Sequence, residues 1–415
     1  MRNPDVAIVG GGIGGSTMAI VLARAGLEVL LIEKSLVHKD VVRGEWLAPW
    51  GVLEANSLDL TPLYQANGAH RPARHVSYSE FDTREASEAQ GVTFADLGAE
   101  NPLCLGHPRC CDILNQEAER LGVTYHRGIS ALKVTPGSPP SLVYKHGDDA
   151  YNLQPRWIIG ADGRNGIVAR QIGCTITHDP EHHLFSGMLV EGADGWPEDL
   201  QVIACEGDAN ALAFPQGQGK VRIYLGWPSE QRNRLVGPDG PAHFLDSWRL
   251  DCIPDADTVA DAKPASPCIA YPNHDSWVDK IVETGVVLIG DAAGKNDPIT
   301  GQGLSITHRD VRLVSTALLE SSTWAPQMFD GYVAERKERM ARLRTVARLT
   351  SLRESAFGES GRKLRERIHE RIHQNPDLAA PFAAGFIGPD ALPGEVFAPA
   401  FTEQIVGQPI WDEAL

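Results

Sequence analysis

Long apolar runs are missing from this sequence. None reaches the ~18 residues of a membrane-spanning helix, so no spanning segment is expected. CxxC pairs are missing too. The seven cysteines stand at 104, 110, 111, 174, 205, 252 and 268. An odd, irregular set predicts free thiols in a reducing compartment, not a disulfide framework. Basic residues are in deficit: 38 Lys and Arg face 54 Asp and Glu, a net charge of −16. That balance argues against nucleic acid as the main partner, while a local field in a cleft still admits an anionic ligand. There is no internal repeat and no low-complexity segment. The first residues run almost at once into a core strand, which leaves no room for a cleavable signal; a cytoplasmic location is the expectation. One stretch, "HDPEHH" (His178, Asp179, Glu181, His182, His183), imitates a metal site. It lacks the i, i+4 helical spacing of a zinc pair and contains Pro180, so a polar loop is expected and no metal.

What is present is a 415-residue chain, 42% hydrophobic and 22% charged. That is the composition of a globular protein with two or three compact units. Its start, "DVAIVGGGIGGSTMAIVLARAGLEVLLIEK", places GxGxxG (Gly10, Gly12, Gly15) between a strand and a helix. A second strand then ends in Glu33 and Lys34. Gly10 allows the tight turn. Gly12 lets the backbone, with Ile13 and Gly14 beside it, approach a pyrophosphate at the helix N-terminus. Gly15 lets the helix pack on the strand. Glu33 suits the hydroxyls of an unphosphorylated ribose. The motif predicts a dinucleotide but does not choose between FAD and NAD.

Further on, Pro49 predicts a loop leading into a helix over 41–56. Residues 72–100 alternate weakly and predict antiparallel strands. Residues 109–121 read as an amphipathic helix, followed by the strand "VTYHRG" and a hairpin of "SALKVTP" and "SLVYKHG". From about 180 to 275 short strands joined by tight turns predict a separate, largely antiparallel unit. "GVVLIGDAAG" returns to a buried parallel-type strand, and "TGQGLS" opens a helix. The chain then becomes helical; the Arg/Lys run in "YVAERKERMARLRTVARL" is expected to be a solvated face, because acids alternate with it.

Three stretches stand in order: GxGxxG, "GADGRNGIVAR" at 160–170 and "GDAAGKNDPITGQG" at 290–303. Together they resemble the single-component FAD-dependent aromatic hydroxylases, the para-hydroxybenzoate hydroxylase-like family of class A flavoprotein monooxygenases. The resemblance covers residues 5–325. It implies an α/β protein: a Rossmann-like, GR2-type FAD-binding domain (1–72, 101–175 and 280–325), an inserted mainly antiparallel β substrate domain (73–100 and 176–279) and a helical C-terminal extension (326–415). It implies that Gly10, Gly12, Ile13, Gly14, Gly15, Glu33 and Lys34 hold the ADP half of FAD. Arg43 and Arg109 would approach the diphosphate or ribityl region. Asp162, Gly163 and Arg170 would serve FAD and a transient NAD(P)H. Gly290 and Asp291 would meet the ribityl chain, and Pro298, Gly301, Gln302, Gly303 and Leu304 the flavin ring. The N-terminal amides of the helix after "TGQG" would stabilise negative charge on the reduced ring, and a Cβ at 301 or 303 would collide with it. The chain departs from the family in carrying Gly294 in place of the usual His, and Gly166 in place of Ser or Thr.

The chemistry so implied is reduction of tightly but non-covalently bound FAD by NAD(P)H, uptake of O2 as a C4a-hydroperoxide, and oxygen transfer to a phenolic or N-heteroaromatic small molecule. Candidates for orienting that ring are His183, Arg222, Tyr224 and Pro298, none with an assigned acid or base role. Trp46 and Trp50 line the cavity or pack in the core. A reductase of the geranylgeranyl type and a halogenase are the alternatives; the halogenase WxWxIP signature is missing, and no second GxGxxG supports a Baeyer–Villiger or N-hydroxylating enzyme. A flavin-binding protein without catalysis stands as the non-enzyme alternative. The assembly is expected to be a monomer or homodimer.

Overall fold

A computed structural model describes residues 2–40, 42 and 44–411. Its centre is a six-stranded sheet ordered Val282–Glu283, Val286–Leu288, Trp157–Gly160, Val6–Val9, Val29–Glu33, Thr124–Arg127. All neighbours are parallel except the short Val282–Glu283 edge. The four residues of Val6–Val9 are buried on both faces, as an apolar run in a parallel sheet requires. Helix Ile13–Arg24 packs between helices His107–Arg120 and Gly303–Glu320. The carboxyl ends of the central strands therefore feed directly into the three glycine-rich segments, the place where open α/β sheets gather ligands.

The expected hairpin is present as Ser130–Thr135 and Ser141–His146, with Asp149–Leu153 added as a third antiparallel strand. A larger sheet is built on His183–Glu191, Lys220–Pro228, Ala209–Gly217 and Leu200–Glu206, antiparallel throughout. Its core holds Met188, Val202, Ile223, Phe244 and Trp248.

Two local expectations change. Residues 72–100 are not a set of antiparallel strands. Arg74–Ser79 runs parallel to Leu200–Glu206. Arg84–Ala89 is a helix; Thr83 caps it by accepting from Ala86 N at 3.2 Å, and only Val92–Thr93 returns antiparallel. The Arg/Lys run lies on helix Asp330–Glu354, but Arg336 and Arg339 are buried, not solvated. Helices Gly358–Gln374, Ala380–Ile387 and Pro399–Val406 complete the C-terminal region around Leu349, Ile368, Ile405 and Val406. Among the described residues no helix is long and apolar enough to cross a membrane.

Candidate active site

A cavity of about 1250 Å³ opens at the carboxyl ends of the parallel strands. The glycines around it answer different demands. At Gly10 φ is +110° and a Cβ would stand 2.3 Å from Ala161 O, where two strand ends converge. At Gly15 a Cβ would stand 1.9 Å from Gly10 O, so only glycine lets the helix sit on the strand. Gly12 lines the cavity and has no atom within 4 Å of its Cβ position. Its free flank lies at the N-terminus of helix Ile13–Arg24, where backbone N–H groups favour a diphosphate. Gly14 packs against Thr307. Glu33 stands at the rim beside Lys34; its Oε2 accepts from Gly11 N at 2.8 Å and its Oε1 from Ser35 N at 2.7 Å.

Asp162 and Gly163 line the next part of the wall. Asp162 Oδ2 accepts from Ile167 N at 2.6 Å and Val168 N at 3.1 Å. Burial raises its pKa, against the pull of those amides. Its Oδ1 is buried without a partner among the described residues. A Cβ on Gly166 would lie 2.2 Å from the Asp162 carboxyl carbon, so the missing Ser or Thr is what lets Asp162 turn inward. Gly290, Asp291, Pro298, Gly301, Gly303 and Leu304 close the wall. Gly303 has open space at its Cβ position, at the first turn of helix Gly303–Glu320. Gly301 has φ +66°, but the obstacle there is protein: a Cβ would meet Trp46 at 2.9 Å. Gly294 has φ +102°, and its Cβ would press on Ser276 O at 2.8 Å; a histidine does not fit this backbone. Open-flanked Gly12, Gly163 and Gly303, with the unpartnered Asp162 oxygen, form a cradle whose shape and donor set fit FAD.

Several expected residues are placed elsewhere. Arg43 lies outside the described residues. Arg109 does not line the cavity and donates to Asn67 Oδ1 at 2.7 Å. Arg170 donates to Gly166 O at 3.1 Å and serves the loop around Asp162. Arg222 is buried under the ring pocket, consumed by Asp40 (2.8 Å), Glu45 (2.7 Å) and Ser266 (3.0 Å). Burial opposes its charge, but Glu45 and Asp40 outweigh that and raise its pKa. His183 is fully buried, bonded to His182 at 2.6 Å and Asn273 at 3.0 Å. Burial pushes it down to about 3, so it stays neutral and faces no ligand. The rest of the "HDPEHH" stretch is dispersed: His182 meets Asp297 at 3.2 Å, Asp179 meets Arg344 and Glu181 meets Arg232. Tyr224 and Pro298 do line the cavity. So does Trp46, at 5.7 Å from the Phe214 ring, which is 5.9 Å from Tyr224. With Phe185 and Tyr271 they make an aromatic pocket beside the Pro298–Gly303 turn. Trp50 belongs to the core and donates to Gln302 Oε1 at 2.7 Å.

The sequence reading missed the clasp on the third motif. Arg336 donates to Ala293 O (2.8 Å), Gly290 O (3.1 Å) and Gly294 O (2.9 Å). Asp310 binds Arg336 at 3.0 Å and Arg339 at 2.7 Å, and accepts from Gly290 N at 2.8 Å. Burial opposes ionisation of Asp310, but the two arginines outweigh it and hold its pKa low. The available signal was position: Asp310 shares the buried stripe of Ile306 and Val314.

Asp275 anchors the loop before Pro298, accepting at Oδ1 from Asn296 Nδ2 (2.9 Å) and Asp297 N (3.0 Å). Burial, reinforced by the Asp297 charge, pushes it up to about 7. An acid with a raised folded pKa loses stability as pH climbs from its unfolded value to its folded one. Asp275→Asn keeps the acceptor and removes the charge. Its stabilising effect is expected to grow by about 2–3 kcal/mol between about pH 5 and pH 8. Thermal melts at both values check this; an equal gain at both contradicts it.

A family model described as FAD binding domain matches residues 3–347. Squalene epoxidase 3 of Arabidopsis thaliana is 23% identical over 322 residues, 76% of this chain and 60% of its own length. The chain thus spans less than two thirds of that relative. Menaquinone reductase of Mycobacterium tuberculosis is 26% identical over 325 residues, 76% of each chain. The fold of p-nitrophenol 4-monooxygenase from Pseudomonas putida DLL-E4 matches with a TM-score of 0.75 at 17% identity, over 98% of this chain and 100% of that one. With its glycine cradle at the ends of a parallel sheet, this chain belongs to the family described as FAD binding domain.

Proposed function

We propose that the protein is an NAD(P)H-consuming monooxygenase that inserts one oxygen atom of O2 into an aromatic small molecule. The observation that carries this reading is the aromatic pocket of Trp46, Phe185, Phe214, Tyr224 and Tyr271 beside the open N-terminus of helix Gly303–Glu320. FAD held by Gly12, Asp162, Gly163 and Gly303 would supply the redox chemistry between reduced nicotinamide and dioxygen. The chain's own groups do the rest. Amides at the start of helix Gly303–Glu320 stabilise negative charge on a ligand at the turn. Trp46 is fixed by donating to Gln201 Oε1 at 2.9 Å, so its indole presents a set face to a flat ring. Ile299 and Phe185, buried in one cluster with Phe214, Tyr224 and Tyr271 packed against it, keep water from the aromatic pocket.

A second reading is reduction or epoxidation of an alkene in a long chain. It is favoured by the likeness to a squalene epoxidase and a menaquinone reductase, and by the continuation of the cavity beyond the ring pocket. The test is a screen of phenols, hydroxybenzoates and N-heteroaromatics against FAD-loaded protein with NADH or NADPH. Oxygen uptake that rises with an aromatic compound and yields its hydroxylated form supports the proposal. Nicotinamide oxidation without oxygen uptake, giving a saturated product, supports the reductase instead.

A further inference from the structure

Beyond the ring pocket the cavity runs on between the large sheet and the C-terminal helices. Its floor is the alternating face of two paired strands: His75, Ser77 and Ser79 opposite Gln201, Ile203 and Cys205. Its roof is three helices, each turning one stripe inward. Val346, Thr350 and Arg353 come from Asp330–Glu354; Arg365, His369 and Ile372 from Gly358–Gln374; Phe382, Ala383 and Phe386 from Ala380–Ile387. The spacings are i, i+4 and i+7 in the first two helices and i, i+1 and i+4 in the third, each within one helical face. From Val346 to Glu354 the roof extends about 12 Å. From His75 to Ser79 the floor extends about 13 Å. The agreement describes a passage, not a crevice, and exposed His373 and Pro376 stand at its outer rim.

The lining also says what fits. Its polar groups are already bonded to one another. Gln201 Nε2 donates to His75 Nδ1 at 3.2 Å, and His75 Nε2 meets Ser77 Oγ at 3.3 Å. Burial pushes His75 down to about 4, so it is uncharged. Ser79 Oγ accepts from Phe81 N, and Thr350 Oγ1 donates to Val346 O. The ionisable side chains pair internally: Arg353 with Glu354, Arg365 with Glu80, His369 with Asp82. Of these lining groups, Arg365 Nε is buried without a partner among the described residues, as is Ser87 Oγ. A passage with paired charges and walls of Val346, Ile372, Phe382 and Phe386 makes no demand for an ionic ligand; it offers apolar surface, the neutral Ser87 hydroxyl and the Nε–H of the Glu80-paired Arg365.

We propose that this passage is a substrate subsite, and that the protein takes an aromatic ring carrying a long, uncharged, apolar substituent. The ring end of this assignment rests on the aromatic-hydroxylase reading; the passage itself does not.

The experiment is a binding series on FAD-loaded full-length protein with para-cresol, para-butylphenol and para-octylphenol, each also assayed for a hydroxylated product. Kd is expected to fall with each added methylene, by about fourfold where burial is complete. Ala383→Trp, which fills the roof, is expected to collapse the octyl-to-methyl Kd ratio toward one. Ile372→Trp is the second variant, and whichever folds decides. A flat series in the native protein, with para-cresol bound and hydroxylated, overturns the subsite and leaves the aromatic reading intact. A falling series that Ala383→Trp abolishes, with no hydroxylated product from any member, upholds the subsite and overturns the aromatic reading. A falling series unaffected by either folded variant overturns the subsite.

Discussion

Replacing Arg336 with alanine is expected to cost about 3–5 kcal/mol of stability, the range for breaking a buried ion pair from one side. The guanidinium is the meeting point of three elements. It reaches from helix Asp330–Glu354 to the carbonyls of Gly290, Ala293 and Gly294, and it neutralises Asp310 on helix Gly303–Glu320. Removal strands those acceptors and leaves Asp310 with the charge of Arg339 and the amide of Gly290. Because Gly290 and Asp291 line the cavity, the same change is expected to weaken FAD binding as well. Arg336→Lys keeps the charge but not the fork that spans separate acceptors, so it should recover only part of the loss. Lys337→Ala, one residue along on the exposed side, should stay within about 0.5 kcal/mol of the parent. Urea unfolding and an FAD titration of the three variants check this. Equal effects at 336 and 337 would show that the arginine is not a clasp.

The second large effect separates folding from cofactor binding within one motif. Gly15→Ala puts a Cβ 1.9 Å from Gly10 O, a backbone atom that cannot give way. The helix must lift from the strand, and a loss above about 4 kcal/mol is expected, enough to unfold a marginal domain. Gly12→Val meets no protein atom within 4 Å of its Cβ. Its backbone, at φ −74° and ψ −170°, accepts any L-residue. The protein should therefore fold, while the side chain takes the space of the diphosphate. A weakening of FAD binding by about 1–3 kcal/mol, up to a hundredfold, is expected. Circular dichroism with an FAD fluorescence titration distinguishes the two. A Gly12→Val protein that binds FAD like the parent would move the cofactor away from this loop.

The order of the motifs was legible because backbone constraints leave glycine in the sequence. Gly15 is forced by a contact within one strand–turn–helix unit, which local reading can see; Gly10 is forced by its positive φ and by Ala161 at the end of the neighbouring strand. The same reading gave the wrong obstacle at Gly301, since Trp46 comes from 255 residues earlier in the chain and only the fold brings it there. Arg336 and Arg339 were hidden for a similar reason. Their neighbours in sequence are acids and lysine, the pattern of a wet face; the partner that buries them, Asp310, is on another helix. Arg222 and His183 were attractive as reactive types, but their strands turn them into ion pairs and hydrogen bonds beneath the pocket. The parallel pairing of Arg74–Ser79 was illegible because weak alternation fixes a face, not a partner strand or a direction.

The most direct measurement is the fate of oxygen. FAD-loaded protein, NADPH or NADH, a stimulating phenol and isotope-labelled dioxygen are mixed, and the product is weighed by mass spectrometry. The proposed function predicts one labelled oxygen atom on the ring for each nicotinamide consumed in productive turnover. An unmodified phenol, or a hydroxylated product whose new oxygen comes from water, contradicts it.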